Sequence, residues 1–143
     1  MAKFKYKFEA IKSIKERFEK IVQKELAVIY LEIERLEGEV KLLKDELKET
    51  KIKKLQNHST TINELQFYTK HENYCERKIK LFKKEIEKKN IEKEKKLKEL
   101  VIKSKETKTF EKLKEKHLQE FIKTQEKLEQ IELDEIAVKE FNR

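Results

Sequence analysis

The sequence predicts an all-α protein, a two-helix antiparallel coiled-coil hairpin with a longer second helix. Charged residues make up 46% of the 143 residues and hydrophobic residues only 36%. That apolar content is too low for a globular core, but it is sufficient for a single apolar seam. The chain has no proline and one glycine, so little interrupts a long helix. Apolar residues recur at coiled-coil spacing on both sides of one polar stretch, which indicates two helices.

The first helix is predicted over about residues 4–56. Between Val22 and Leu47 the apolar residues alternate spacings of four and three, as at the a and d positions of a heptad repeat. This seam consists of Val22, Leu26, Ile29, Ile33, Leu36, Val40, Leu43 and Leu47. Gly38 lies outside the seam, where it lowers helix stability by about 1 kcal/mol without ending the helix.

A turn is predicted at about residues 57–61, within the polar stretch QNHSTTINE of residues 56–64. Asn57 tolerates the left-handed conformation that ends many helices. Thr61 and Glu64 have the spacing of a capping box, so Thr61 is expected to cap a second helix over about residues 61–141. The alternative is one continuous helix paired with a second chain. The cluster of turn-forming residues favours the hairpin, and with it a monomer.

The second helix carries a weaker seam. Its members are Leu65, Tyr68, Glu72, Cys75, Ile79, Phe82 and Ile86, and it resumes at Leu97 and Leu100 after Lys89 and Lys93. Folding at residue 59 places residue i opposite about 118 − i, so Phe4 is expected near Lys114. Apolar residues beyond that point have no expected partner within the chain, which predicts an intermolecular contact. The alternative is that they only support a helix that frays in solution.

Charge is distributed unevenly along the second helix. Residues 77–117, the basic belt, contain 17 Lys or Arg and 8 Asp or Glu, a net charge of +9. Residues 118–143, the tip, contain 4 Lys or Arg and 7 Asp or Glu, a net charge of −3. Nucleic acid is not an expected partner, because lysine greatly outnumbers arginine and aromatic residues are not interleaved with the belt.

The sequence shows no catalytic, cofactor or metal site. His58, His71 and His117 lie far apart, and we find no second ligand at metal spacing for any of them. One glycine excludes a Gly-rich phosphate loop, and Cys75 is interpreted as a small buried hydrophobe. A single cysteine, no apolar run long enough to span a bilayer and no signal peptide together predict a cytoplasmic protein that is not an enzyme.

Two blocks resemble the FliJ family of flagellar export proteins. The first is FKYKFEAIKSIKERFEKIVQKELAVI, residues 4–29, which is similar to the family's opening of alternating Phe and basic residues that leads to Leu-Ala. The second is KTFEKLKEKHLQEFIKTQEKLEQIELDEIAVKEF, residues 108–141, which is similar to its C-terminal signature. The most specific matches are Leu26-Ala27, Glu111–Leu113 and Asp134-Glu135.

The resemblance implies a non-enzymatic, central-stalk-like coiled coil of the flagellar type III export apparatus. Its implied partners are the hexameric export ATPase, the cytoplasmic domain of the export gate and the export chaperones. The implied location is the cytoplasmic face of the inner membrane at the flagellar base. The alternatives are the equivalent stalk protein of an injectisome or another rotary ATPase, and a generic coiled-coil spacer.

Two sets of binding residues are expected on this basis. The unpartnered apolar residues and the N-terminal phenylalanines are predicted to bind the ATPase. That set is Phe4, Phe8, Phe110, Leu118, Phe121, Leu128 and Ile131. Alignment with the family's gate-facing surface predicts that a second set, early in the second helix, binds the export gate. That set is Tyr68, His71, Cys75, Ile79 and Phe82.

Overall fold

Two helices account for nearly all of the described chain. The computed structural model describes residues 3–56 and 61–142. Helix α1 spans Glu9–Gln56, 48 residues, and helix α2 spans Ile62–Phe141, 80 residues. The described residues contain no strand. Ion pairs such as Glu32–Lys89 and Glu25–Lys96 join the helices in antiparallel order. The prediction of an all-α helical hairpin with a longer second helix is therefore confirmed.

Helix α1 begins at Glu9, five residues later than the predicted start at Phe4. The Glu9 N–H donates to the Tyr6 carbonyl at 3.2 Å, and the Lys12 N–H donates to the Phe8 carbonyl at 2.9 Å. Glu9 lies in the first turn, where its negative carboxylate interacts favourably with the positive end of the helix dipole. The segment before it is not helical, because its aromatic side chains pack against α2 instead.

Helix α2 begins as its capping residues predict. The Glu64 N–H donates to Thr61 Oγ1 at 3.3 Å, and the Leu65 N–H donates to the Thr61 carbonyl at 3.1 Å. The side chain and the carbonyl of Thr61 thus satisfy two backbone donors of the first turn. The predicted turn falls mostly on residues 57–60, which lie outside the described residues.

The chain divides into two compact units. The central unit is Val22–Glu99, and the terminal unit is Met1–Ile21 with Leu100–Arg143. Within the central unit, the buried face of α1 coincides with the predicted seam: Val22, Leu26, Ile29, Ile33, Leu36 and Val40 are buried, and Leu43 and Leu47 are half-buried. From α2, Cys75 and Ile79 are buried. The seam of α1 is therefore the core of this unit.

Lysines replace apolar residues in the middle of the α2 seam. Lys89, Lys93 and Lys96 are half-buried, so their aliphatic stems cover apolar surface while their ammonium groups reach the edge of the interface. Lys89 Nζ lies 2.6 Å from a Glu32 carboxylate oxygen, and a hydrogen bond to that carboxylate raises the pKa of Lys89. The weak stretch of the second seam is thus held by ion pairs across the helices.

The pairing register differs from the predicted one by about one helical turn. The residue numbers of Glu25 and Lys96, and those of Glu32 and Lys89, sum to 121 rather than about 118. Helical side chains lean toward the N-terminus of their helix, so the residue that reaches a given contact point lies about one position C-terminal to that point in the sequence. In an antiparallel pair both helices contribute this shift of one residue, which raises the sum of the two residue numbers by about two. The direction of the side chains therefore accounts for about two of the three residues by which the sums differ.

Candidate functional site

An aromatic cluster joins the N-terminal segment to α2 in the terminal unit. The ring centroids of Phe4 and Phe121 are 5.5 Å apart, and those of Phe8 and Phe110 are 6.4 Å apart. Tyr6 is buried, and its hydroxyl donates a hydrogen bond to the Phe110 carbonyl at 3.0 Å. Burial, reinforced by the Glu9 carboxylate, raises the pKa of Tyr6. The cluster anchors the segment that precedes α1.

One expectation about this region is confirmed and one is wrong. Phe4 lies near Lys114, as expected, since both line one surface pocket. Phe4 also contacts Phe121, so Phe121 has a partner within the chain. Tyr6 and His117 are not among the predicted binding residues, yet their rings lie 5.6 Å apart within the same cluster. Phe4, Tyr6 and Phe8 are spaced two residues apart, and this spacing aligns side chains on one face only when the backbone is extended. The spacing could therefore have indicated that this segment is not helical and presents its aromatic rings together.

The remainder of the tip presents apolar side chains to solvent. Apart from Gln125, which is half-buried, every described residue after Phe121 is exposed. Leu128 retains 49% of its accessible surface and Ile131 retains 54%. The exposed apolar residues of this segment are Ile122, Leu128, Ile131, Leu133, Ile136, Val138 and Phe141. Such a stretch is typical of a surface that binds another protein.

The basic belt is partly neutralised across the helices. Besides Lys89 and Lys96, Lys114 pairs with Glu9 at 3.1 Å. Within α2 the ion pairs span three residues, as in Lys103 and Glu106 at 4.0 Å. Several lysines of the belt therefore pair with glutamates of the other helix as well as with glutamates of α2.

The five predicted gate-binding residues do not share one exposed face. Cys75 is 0% exposed and Ile79 is 8% exposed, because both belong to the seam. Tyr68, His71 and Phe82 are half-buried. While α1 and α2 are packed together, Cys75 and Ile79 cannot present their side chains to a partner. The binding role of this segment stays a prediction.

An outer stripe of the same segment was missed. Phe67, Tyr74 and Leu81 are exposed and lie seven residues apart in turn, so they share one face of α2. The heptad spacing was visible in the sequence. The predictions from the sequence place apolar residues on the inner seam alone.

One cluster in the central unit has metal-ligating chemistry. Cys75 Sγ lies 3.7 Å from His71 Nε2 and 4.0 Å from a Glu46 carboxylate oxygen, and that oxygen lies 3.9 Å from His71 Nε2. Burial and the nearby Glu46 carboxylate raise the pKa of the Cys75 thiol. The expectation that His71 lacks a second ligand at metal spacing is wrong, since Cys75 follows it by one helical turn and α1 supplies Glu46.

A family model supplies the decisive comparison. The model of the flagellar FliJ protein family matches residues 4–143. The chain belongs to the FliJ family. It is therefore a component of the flagellar export apparatus, and so of flagellum biogenesis, type III protein export and motility. Searches of curated proteins and of solved structures found no match. Neither helix, over its described residues, is long and apolar enough to cross a membrane.

Proposed function

We propose that this FliJ-family protein is a non-enzymatic, central-stalk-like coiled coil that engages the hexameric export ATPase through its tip. On this proposal it links the ATPase and the export chaperones to the export gate, at the cytoplasmic face of the inner membrane at the flagellar base. The observation that carries the proposal is the exposed apolar surface of α2 after Phe121.

The energetics of the tip suit a contact that forms and releases. Leu128 and Ile131 each keep about half of their surface available for burial, worth about 1 kcal/mol per side chain. Several such residues together would supply a few kcal/mol, from which the cost of association is subtracted. The net charge of −3 on residues 118–143, from 4 basic and 7 acidic residues, would favour a basic partner surface.

The test is a pull-down with the purified export ATPase, using Leu128→Asp together with Ile131→Asp. Loss of the apolar burial should weaken binding by at least about tenfold. Because both residues are exposed, helicity and melting should stay near those of the native chain. The aromatic Phe121 is left unchanged because it packs against Phe4.

The matched control is Gln119→Asp together with Gln130→Asp. It adds the same two charges to the same segment on the face of α2 opposite Leu128, by the helical repeat of about 3.6 residues. It should bind the ATPase normally. Native binding by the Leu128/Ile131 variant, or an equal loss in the control, would remove the tip from this role.

We further propose that α2 binds the export gate through the outer stripe, together with the half-buried predicted residues of the same segment. Those residues are Tyr68, His71 and Phe82. Phe67 and Leu81 are 67% and 55% exposed, so they remain available when the helices are packed, whereas Cys75 and Ile79 do not. Phe67→Asp with Leu81→Asp should abolish binding to the cytoplasmic domain of the gate and leave ATPase binding intact. The Leu128/Ile131 variant should show the reverse pattern. Loss of both partners in either variant would contradict separate surfaces.

A further inference from the structure

We propose that Glu46, His71 and Cys75 form a Zn²⁺ site that ties α1 to α2 within the central unit. The three donor atoms are separated by 3.7, 3.9 and 4.0 Å. A point equidistant from all three therefore lies about 2.2 Å from each, close to the bond lengths of about 2.0–2.3 Å that Zn²⁺ makes with N, O and S ligands. Among the described residues, these are the three metal-ligating side chains grouped this closely.

The local structure explains why the donors converge. His71 and Cys75 are four residues apart on α2, so they lie one above the other on one face of the helix. Glu46 comes from the facing helix. Cys75 is 0% exposed, whereas the side chains of His71 and Glu46 are 37% and 55% exposed. An ion can therefore enter from solvent on the side of His71 and Glu46 and meet the sulfur at the inner edge of the site.

The donor set selects a class of metal. One thiolate, one imidazole and one carboxylate form a mixed S, N and O set, which suits Zn²⁺ and not the oxygen-ligated Mg²⁺ or Ca²⁺. Three protein ligands leave the fourth tetrahedral position to water. On binding, the Cys75 S–H bond breaks, the proton passes to solvent and a Zn–S bond forms. The thiolate and the carboxylate then balance the charge of the ion.

The consequence is a link between helices at the level of the segment proposed to contact the export gate. A metal ion bound here would hold Cys75 and His71 of α2 against Glu46 of α1, so α1 and α2 would stay packed together at this level. The outer stripe of Phe67, Tyr74 and Leu81 would then be presented by a helix that remains packed on its partner. A metal ion that binds the folded chain and not the unfolded one stabilises it by RT ln(1 + [L]/Kd), and so raises its melting temperature. The proposal needs only the geometry of the three donors, and it stands or fails independently of the gate contact.

The experiment titrates the full-length, reduced protein with Co²⁺, the spectroscopic stand-in for Zn²⁺. We expect one equivalent to bind, with the visible bands of a tetrahedral site and a thiolate charge-transfer band. Stoichiometric Zn²⁺ should abolish both signals and raise the melting temperature above that measured with a chelator. Glu46→Gln and Cys75→Ala should each weaken binding at least about tenfold, since even changes outside the ligand shell cost about 10–100-fold.

Glu49→Gln is the matched control, because Glu49 is an exposed glutamate of the same helix outside the cluster. It should bind as the native chain does. Glu46→Gln alters an exposed side chain, so it keeps the test decisive even if Cys75→Ala fails to fold. A Co²⁺ spectrum without the thiolate band, no shift in melting with Zn²⁺, or native affinity in Glu46→Gln would overturn the site.

Discussion

Leu36 provides the sharpest test of the packing in the central unit. It is 2% exposed on the seam of α1, whereas Leu42 on the same helix is 62% exposed. Leu36→Ala removes buried methyl groups and leaves a cavity, a change that costs about 2–5 kcal/mol in protein cores. A seam between two helices is open to solvent along both edges, so neighbouring side chains can close part of the cavity. We therefore expect about 2–3 kcal/mol.

Leu42→Ala is the matched control, because the chemical change is the same and only the environment differs. Its effect should be within about 0.5 kcal/mol. Urea unfolding followed by far-ultraviolet circular dichroism measures both variants. At roughly 4 °C per kcal/mol, the melting temperature should fall by roughly 10 °C for Leu36→Ala. Leu36→Asp should cost more, because it buries an unpaired carboxylate. Equal losses for Leu36→Ala and Leu42→Ala would refute the register of α1 and the core built on it.

Three further predictions concern polar contacts. Tyr6→Phe removes the hydrogen bond to the Phe110 carbonyl and should lower the free energy of unfolding by about 0.5–1.5 kcal/mol in the same urea assay, a loss that an unchanged midpoint would contradict. Thr61→Ala removes the cap of α2 and should cost about 1 kcal/mol, with Thr61→Ser close to native. A hydrogen bond from Lys15 lowers the pKa of Glu106 in the folded chain. The ionised Glu106 therefore stabilises the fold at pH values above the ordinary glutamate pKa, and this stabilisation is lost as the pH falls through the lowered pKa of Glu106. Lys15→Met should therefore flatten the acid limb of the stability–pH curve, and an unchanged limb would show that the pair contributes nothing.

The parts of the fold that the sequence predicted rest on interactions within one helix. The seam from Val22 to Val40 follows the α-helical repeat, so the buried residues could be identified before their partners were known. The cap of α2 involves residues three positions apart, Thr61 and Glu64, and was equally predictable. Family membership was also predictable, since the two similar blocks lie in contiguous stretches of sequence.

The parts that it missed depend on contacts between distant residues. The late start of α1 at Glu9 accompanies the aromatic cluster, in which Tyr6 is buried and donates a hydrogen bond to the Phe110 carbonyl. The cluster in turn depends on the pairing register, which differs from the predicted one by three residues, and the direction of helical side chains accounts for about two of them.

The sequence by itself determined that this chain forms two amphipathic helices, which face of α1 is buried and to which family the chain belongs. These properties are local, since they depend on the helical repeat and on short motifs. The tertiary structure alone decided which residues of α1 and α2 meet. That pairing brings Glu46 to His71 and Cys75, and it places Phe121 where Phe4 of the N-terminal segment can contact it. The physical reason is that periodicity specifies a face, whereas contact across two helices also requires the axial register.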